Sequence, residues 1–193
     1  MLALARSDAG PASPIDVVAV VTERVETWQA LAQEHGVALV ADTDSAAMSR
    51  AAPERLARII DNLVANALEA APGGSTVTVF ARTAGELVEV RVRDEGPGLG
   101  TEDRARAFDR FWRARSGDGG SGLGLAIVRK VAEADAATVE LDEAPAAGST
   151  LSCACGGRDG RTARSGGVNR LPSSSLASEG HLKGTLILPG RRR

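Results

Sequence analysis

The chain has 193 residues, 43% hydrophobic but only 3% aromatic with no Tyr, so a core is available and must be filled by Ala, Val and Leu. A net charge of −2 leaves no electrostatic footprint for nucleic acid or an anionic membrane surface. Cys153 and Cys155 form neither a metal-site pattern nor a disulfide framework, no run approaches the ~18 apolar residues of a membrane span, and MLALARSDAG is not a signal peptide, so a reducing, cytoplasmic setting without direct membrane contact is expected.

Residues 1–10 read as the last turn of a helix, followed by a linker through Gly10, Pro11, Ser13 and Pro14. From Ile15 to Glu34, apolar residues at Val17, Val21, Val25, Trp28, Leu31 and Ala32 predict an amphipathic helix that stops near His35-Gly36. Val37–Val40 is a short strand candidate and 42–49 a polar loop. The run Pro53–Ala71 then places Leu56, Ile59, Ile60, Leu63, Val64, Ala67, Leu68 and Ala71 on one helical face. At ~100° per residue, Asn62, Asn66 and Glu69 fall in one narrow arc beside that stripe. Pro53 suits the first turn, and Pro72-Gly73-Gly74 cannot continue the helix.

Two period-2 segments follow, 75–82 and 86–94, joined by a turn at Ala84-Gly85. Val88, Val90 and Val92 share a face, and Asp94 continues their parity, so its carboxylate is expected inside, where it needs donors from the protein or a ligand. Gly96, Pro97, Gly98 and Gly100 allow close backbone approach, and DEGPGLG suits a wall against a flat ligand or a tight surface turn. Residues 101–121, with Phe108, Phe111 and Trp112 and a Gly/Ser/Asp-rich end, read as a mobile lid. Ser121-Gly122-Leu123-Gly124 leads into the amphipathic LAIVRKVAEA, a helix start suited to phosphate. It is neither a P-loop, lacking the Lys-Ser/Thr, nor a dinucleotide fingerprint, because a loop and not a strand precedes it. Thr138–Leu141 and Ser149–Ala154 read as strands. The Gly/Ser/Arg-rich run after Gly156 reads as disordered, with Thr185–Leu188 as one short strand candidate in what is expected to be a frayed tail.

In this order the pieces resemble the ATP-binding catalytic domain of sensor histidine kinases, in the superfamily shared with gyrase B and MutL. Four boxes carry the resemblance: DNLVANALEAA (61–71), the D-x-G-x-G of Asp94-Glu95-Gly96-Pro97-Gly98, FDRFWR (108–113) and GSGLGLAIV (120–128). It covers roughly residues 15–155. It implies an α+β two-layer sandwich, a mixed sheet on about three helices with a mobile ATP lid. The implied ligands are ATP and Mg²⁺. Asn66 would bind the metal and Asn62 support the phosphate and metal shell as the catalytic residue. Asp94 would accept the adenine amine, with Gly96 and Gly98 packed on the base. Gly122, Leu123 and Gly124 would offer N–H groups to the phosphates, and Arg113 would contact the γ-phosphate.

The implied organisation is the end of a phosphoacceptor helix and linker in 1–14, the catalytic domain in 15–156 and a disordered tail in 157–193. The implied reaction is γ-phosphoryl transfer to a His on a helical hairpin of a longer parent chain, itself open to membrane anchorage, with a response regulator as downstream partner. Neither His35 nor His181 is in an acceptor context, so the isolated chain is not expected to autophosphorylate. Two departures stand out: Glu69 where Lys is common, and Asp135-Ala136-Ala137 where His-Gly-Gly-like turns are usual. The alternatives are a serine kinase of the anti-sigma-factor type and a degenerate, binding-only regulatory module. A gyrase-type hydrolase is disfavoured because Asn62 stands where those enzymes carry a Glu base, and an amide cannot take a proton from water at neutral pH.

Overall fold

The computed structural model describes residues 12–113, 122–135, 137–143, 149–152 and 182–189. The expected helical turn at 1–10, the glycine-rich end of the lid, Cys153, Cys155 and residues 157–181 lie outside the described residues. Strand β1 (Ser13–Asp16) leads into helix α1 (Val17–Glu34), capped by Asp16 Oδ1 accepting from the Val18 N–H at 3.0 Å. Strands β2 (Ala38–Thr43) and β3 (Met48–Ala51) precede helix α2 (Pro53–Ala70). Then come β4 (Thr76–Ala84), β5 (Leu87–Arg93), the short α3 (Thr101–Arg106), α4 (Gly124–Ala134), β6 (Thr138–Glu143), β7 (Ser149–Ser152) and β8 (Leu182–Pro189).

Six strands form one mixed sheet in the order β2-β4-β5-β8-β6-β7. β2 and β4 are parallel, and the other pairings are antiparallel. One face of the sheet carries Leu39, Val77, Val79, Ala81, Val88, Val90, Val92, Leu186 and Leu188, all buried. Against it pack Val17, Val21, Val25 and Ala32 of α1, the whole apolar stripe of α2 from Leu56 to Leu68, and Val128 and Ala132 of α4. The opposite face is polar, with Asp42, Arg82, Glu89 and Arg91 joined in ion pairs. This is the two-layer α+β sandwich expected from the sequence. α1 is fastened to α2 by Trp28 Nε1 donating to Asp61 Oδ1 at 2.8 Å, and to β2 by Gln29 Nε2 donating to the Leu39 carbonyl at 2.9 Å.

The structure departs from the sequence reading in three places. The linker at 13–14 and the polar loop at 48–49 instead enter a two-stranded antiparallel ladder, β1 with β3, that pairs Ile15 with Ser49 and draws the starts of α1 and α2 together. Leu31, expected in the core, is exposed at the end of α1. The largest difference is β8. Residues 182–189, assigned by the sequence to a frayed tail, lie inside the sheet between β5 and β6. The register sets Leu186 beside Val90 and Leu188 beside Val88, and Leu186 also faces Val139 of β6. Two leucines thus complete a buried apolar row, a stronger determinant than the polar sequence that precedes them.

If β8 is integral to the core, Leu186→Ala or Leu188→Ala should lower stability by about 2–5 kcal/mol in urea unfolding. A loss under about 0.5 kcal/mol, the usual effect of a surface substitution, would return these residues to a tail.

Candidate functional site

The apolar stripe of α2 fixes its rotation, and that rotation sets the two asparagines at the margin of the core facing α4. Asn62 Nδ2 donates back to the Arg58 carbonyl at 2.7 Å, which orients the amide and leaves Oδ1 as its outward acceptor. Asn66 Nδ2 is buried without a hydrogen-bond partner among the described residues. A stranded buried amide costs roughly 1–3 kcal/mol, so it marks a place where a polar ligand would be welcome. Oxygen and nitrogen of an amide are told apart by their hydrogen bonds, so the Asn66 amide can turn either atom to such a ligand.

Gly124 closes on this pair. A Cβ built there would lie 3.2 Å from Asn66 Oδ1, 3.3 Å from Asn66 Nδ2 and 3.4 Å from Asn62 Oδ1. Gly124 opens α4, whose preceding residue Leu123 supplies no side-chain cap and whose first turn holds no acid. Its first N–H groups therefore receive no cap from the Leu123 side chain and stand beside the asparagines, at the positive end of an 11-residue helix.

A second cluster lies at the C-terminal end of α2. Asp94, fully buried just past β5, accepts the Gly96 N–H through Oδ1 at 2.7 Å. A Cβ on Gly96 would meet the Ala70 carbonyl oxygen at 2.6 Å and Asp94 Oδ1 at 2.7 Å, so the glycine wall is pressed onto the last turn of α2. Gly98 takes φ +67°, open to glycine at no steric cost. Asn66 and Ala70 are separated by one turn, ~6 Å of helix rise. The two clusters are thus neighbours along one helix, one offering amides and N–H groups, the other a carboxylate and bare backbone.

Phe111 and Gly122, on either side of the glycine-rich stretch, are joined directly. The Phe111 N–H donates to the Gly122 carbonyl at 2.9 Å, and a Cβ on Gly122 (φ +65°) would lie 2.8 Å from the Phe111 carbonyl carbon. Phe111 itself adopts φ +65° and is 71% exposed as a residue, a strained backbone held by this junction. Phe108 packs on the core. Arg113 is exposed, and among the described residues no hydrogen bond or ion pair joins it to the asparagines. Glu69, which shares their helical arc, is also exposed. The structure thus brings Asn62, Asn66 and Gly124 together, sets Leu123 beside them in sequence, and gathers Asp94 with Gly96, while leaving Arg113 apart.

Sequence reasoning missed a further pair. Arg55, in the first turn of α2, meets Asp135, the C-cap of α4, through two bonds: Nη2 to Oδ1 at 2.5 Å and Nε to Oδ2 at 2.9 Å. The hydrogen bond to Asp135, opposed by desolvation, holds the Arg55 guanidinium above its usual pKa, so it stays charged at any working pH. The available signal was Asp135 standing where a glycine-rich turn is usual.

Residues 51–155 match the profile of the histidine kinase-, DNA gyrase B- and HSP90-like ATPase family, and the chain belongs to that family. Within it the similarity is to sensor histidine kinases, whose ATP-binding catalytic domain this chain represents. It is 36% identical to the sensor-like histidine kinase SenX3 of Mycobacterium tuberculosis over 144 residues, 72% of this chain and 35% of that protein. It is 35% identical to the sensor histidine kinase CusS of Escherichia coli over 148 residues, 72% of this chain and 30% of that protein. The chain therefore spans about a third of the curated relatives it matches. Among solved structures, the mycobacterial sensor histidine kinase MprB superposes with a TM-score of 0.66 at 21% identity, covering 94% of this chain and 99% of that one. The catalytic domain of histidine kinase ThkA does so with a TM-score of 0.68 at 16% identity, covering 93% and 96%.

The contact at Gly96 yields a direct test. Gly96→Ala should cost about 1–3 kcal/mol in thermal unfolding, because its Cβ meets backbone that cannot swing away. Gly73→Ala, whose Cβ would meet only the His35 carbonyl oxygen at 4.0 Å, is the matched control and should be close to neutral. Equal stability of the two variants would refute the close packing of the glycine wall.

Proposed function

We propose that this chain holds Mg–ATP for γ-phosphoryl transfer to a histidine on a separate helical hairpin, as the catalytic module of a two-component sensor histidine kinase. The observation that carries the reading is the meeting of Gly124 with Asn62 and Asn66: a helix start that Leu123 does not cap, against an amide N–H without a partner among the described residues. Triphosphate needs N–H donors and a cation bridge, and a helix start beside an asparagine pair suits both needs.

In this reading Asn66 supplies the protein oxygen for Mg²⁺ and Asn62 Oδ1 supports its shell. Mg²⁺ commonly takes few protein ligands and keeps several waters, so a single amide with phosphates is an adequate site. When bound, the ion would neutralise charge on the phosphates. The chain's own contribution is positioning. Asp94 accepts the adenine amine, Gly96 and Gly98 let backbone lie against the base, and Gly122, Leu123 and Gly124 hold the phosphates. Asn62 has no basic lone pair to activate water, and its Nδ2 is engaged by the Arg58 carbonyl, which favours transfer to a protein acceptor over hydrolysis. Arg113 would need to come in with the lid to meet the γ-phosphate. The response regulator, and a cytoplasmic setting for this domain in a membrane-anchored parent, belong to the same proposal.

A fluorescent ATP analogue should bind saturably and more tightly with Mg²⁺ than without it. Asn66→Asp should weaken binding about tenfold or more, because an added carboxylate faces the phosphates. Absence of Mg-dependent binding would sink the reading, and wild-type affinity in Asn66→Asp would remove the role given to that residue. Mixed with a separate acceptor hairpin and radiolabelled ATP, the chain should leave acid-labile label on His; acid-stable label on Ser would point to the anti-sigma-factor type of kinase.

A further inference from the structure

α2 and α4 lie antiparallel and in contact at both ends. Asn66 meets Gly124 at one end and Arg55 meets Asp135 at the other. Arg55 precedes Asn66 by the same eleven residues that separate Gly124 from Asp135, ~16 Å of helix in each case. The four residues are therefore the corners of a rectangle whose long sides are rigid helices. A slip of α4 along α2 would appear with equal size at both ends.

The charges of the Arg55–Asp135 pair are arranged against their own helices. A cation in the first turn of α2 and an anion at the C-terminus of α4 each oppose the local helix dipole. Neither residue is there to stabilise the helix it belongs to. Across the interface the arrangement is favourable, since Arg55 faces the negative end of α4 and Asp135 the positive end of α2. The side chains are only 16% and 6% exposed, and the contact is two-pronged, so it resists rotation and sliding better than a single bond would. At the other corner the room is small, because a Cβ added at Gly124 would lie 3.2 Å from Asn66 Oδ1, tighter than ordinary contact.

We propose that the Arg55–Asp135 pair is a positioning device for nucleotide binding: it sets the register of α4 on α2 and so the distance between the N–H groups at Gly122–Gly124 and the asparagine pair. It acts through α4 and touches no ligand itself. The inference rests on the nucleotide reading above and predicts which half of the nucleotide feels its loss. The phosphate end is set by α4; the adenine end is set by Asp94 and Gly96 against Ala70, which α4 does not carry.

The test compares ATP analogue and adenosine affinities in wild type, Asp135→Asn, the milder Arg55→Lys, and the exchange variant Arg55→Asp/Asp135→Arg. All are measured well below each variant's Tm. We expect the two single variants to lose about fivefold to tenfold in affinity for the ATP analogue and to keep adenosine affinity within about twofold. The exchange variant keeps an ion pair across the interface, with charges that suit their own helices but face the like end of the neighbour, and should recover part of the loss. Unchanged ATP affinity in both single variants, or equal loss for ATP and adenosine in step with Tm, would overturn the positioning role and leave a merely structural pair. Failure of the wild type to bind either ligand would instead overturn the nucleotide reading beneath it.

Discussion

The close approach of Gly124 to Asn62 and Asn66 is the contact on which the rest of the structure depends. It requires α4 to start against the middle of α2, a glycine at that start, and a core that holds both helices at fixed rotation. Each requirement is met by ordinary means. The apolar stripe of α2 is fully buried from Leu56 to Leu68, which leaves the asparagines one position open, at the stripe's margin. Val128 and Ala132 anchor α4 to the same core. The Arg55–Asp135 pair fastens the far ends of the two helices.

The site itself works against stability. A buried amide N–H without a partner among the described residues, a fully buried carboxylate, a helix start not capped by the Leu123 side chain and a phenylalanine at φ +65° are each unfavourable alone. They persist because the surrounding packing over-determines them. With very few aromatics, that packing relies on short aliphatic side chains in registered rows, where Val88, Val90 and Val92 of β5 meet Leu186 and Leu188 of β8. Loss of the β8 row would be felt at Asp94, which caps the same β5 row.

Much of this was legible from sequence where the information is local. The 3.6-residue period of 53–71 gives α2 and its buried face, and the alternation at 77–81 and 88–92 gives β4 and β5, with the Val88, Val90 and Val92 face of β5 inward. Parity alone put the Asp94 carboxylate inside. The positions of Asn62, Asn66 and Asp94 followed from these periods, whereas their meeting with Gly124 and Gly96 came only with the fold. What was not legible is non-local. Ile15 and Ser49 pair across a whole helix and strand, and nothing in either tetrapeptide announces the partner. β8 is separated from the rest of the sheet by a polar run whose composition argues for disorder, so its leucines have meaning only once the row on β5 is known. The Arg55–Asp135 pair joins residues 80 apart, each of which looks misplaced on its own helix. The charge conflict at the two helix ends was a readable signal in hindsight, because it needs a tertiary partner to resolve it.

The central claim is that α2 is the floor of a nucleotide site, with the base at its C-terminal end and the phosphates at its middle. A crystal structure of the chain with Mg²⁺ and a non-hydrolysable ATP analogue tests it most directly. The account predicts the adenine amine on the Asp94 carboxylate, the phosphates against the N–H groups of Gly122–Gly124, and the metal on the Asn66 side chain. A nucleotide bound in the reverse sense, or a metal held without Asn66, would contradict it.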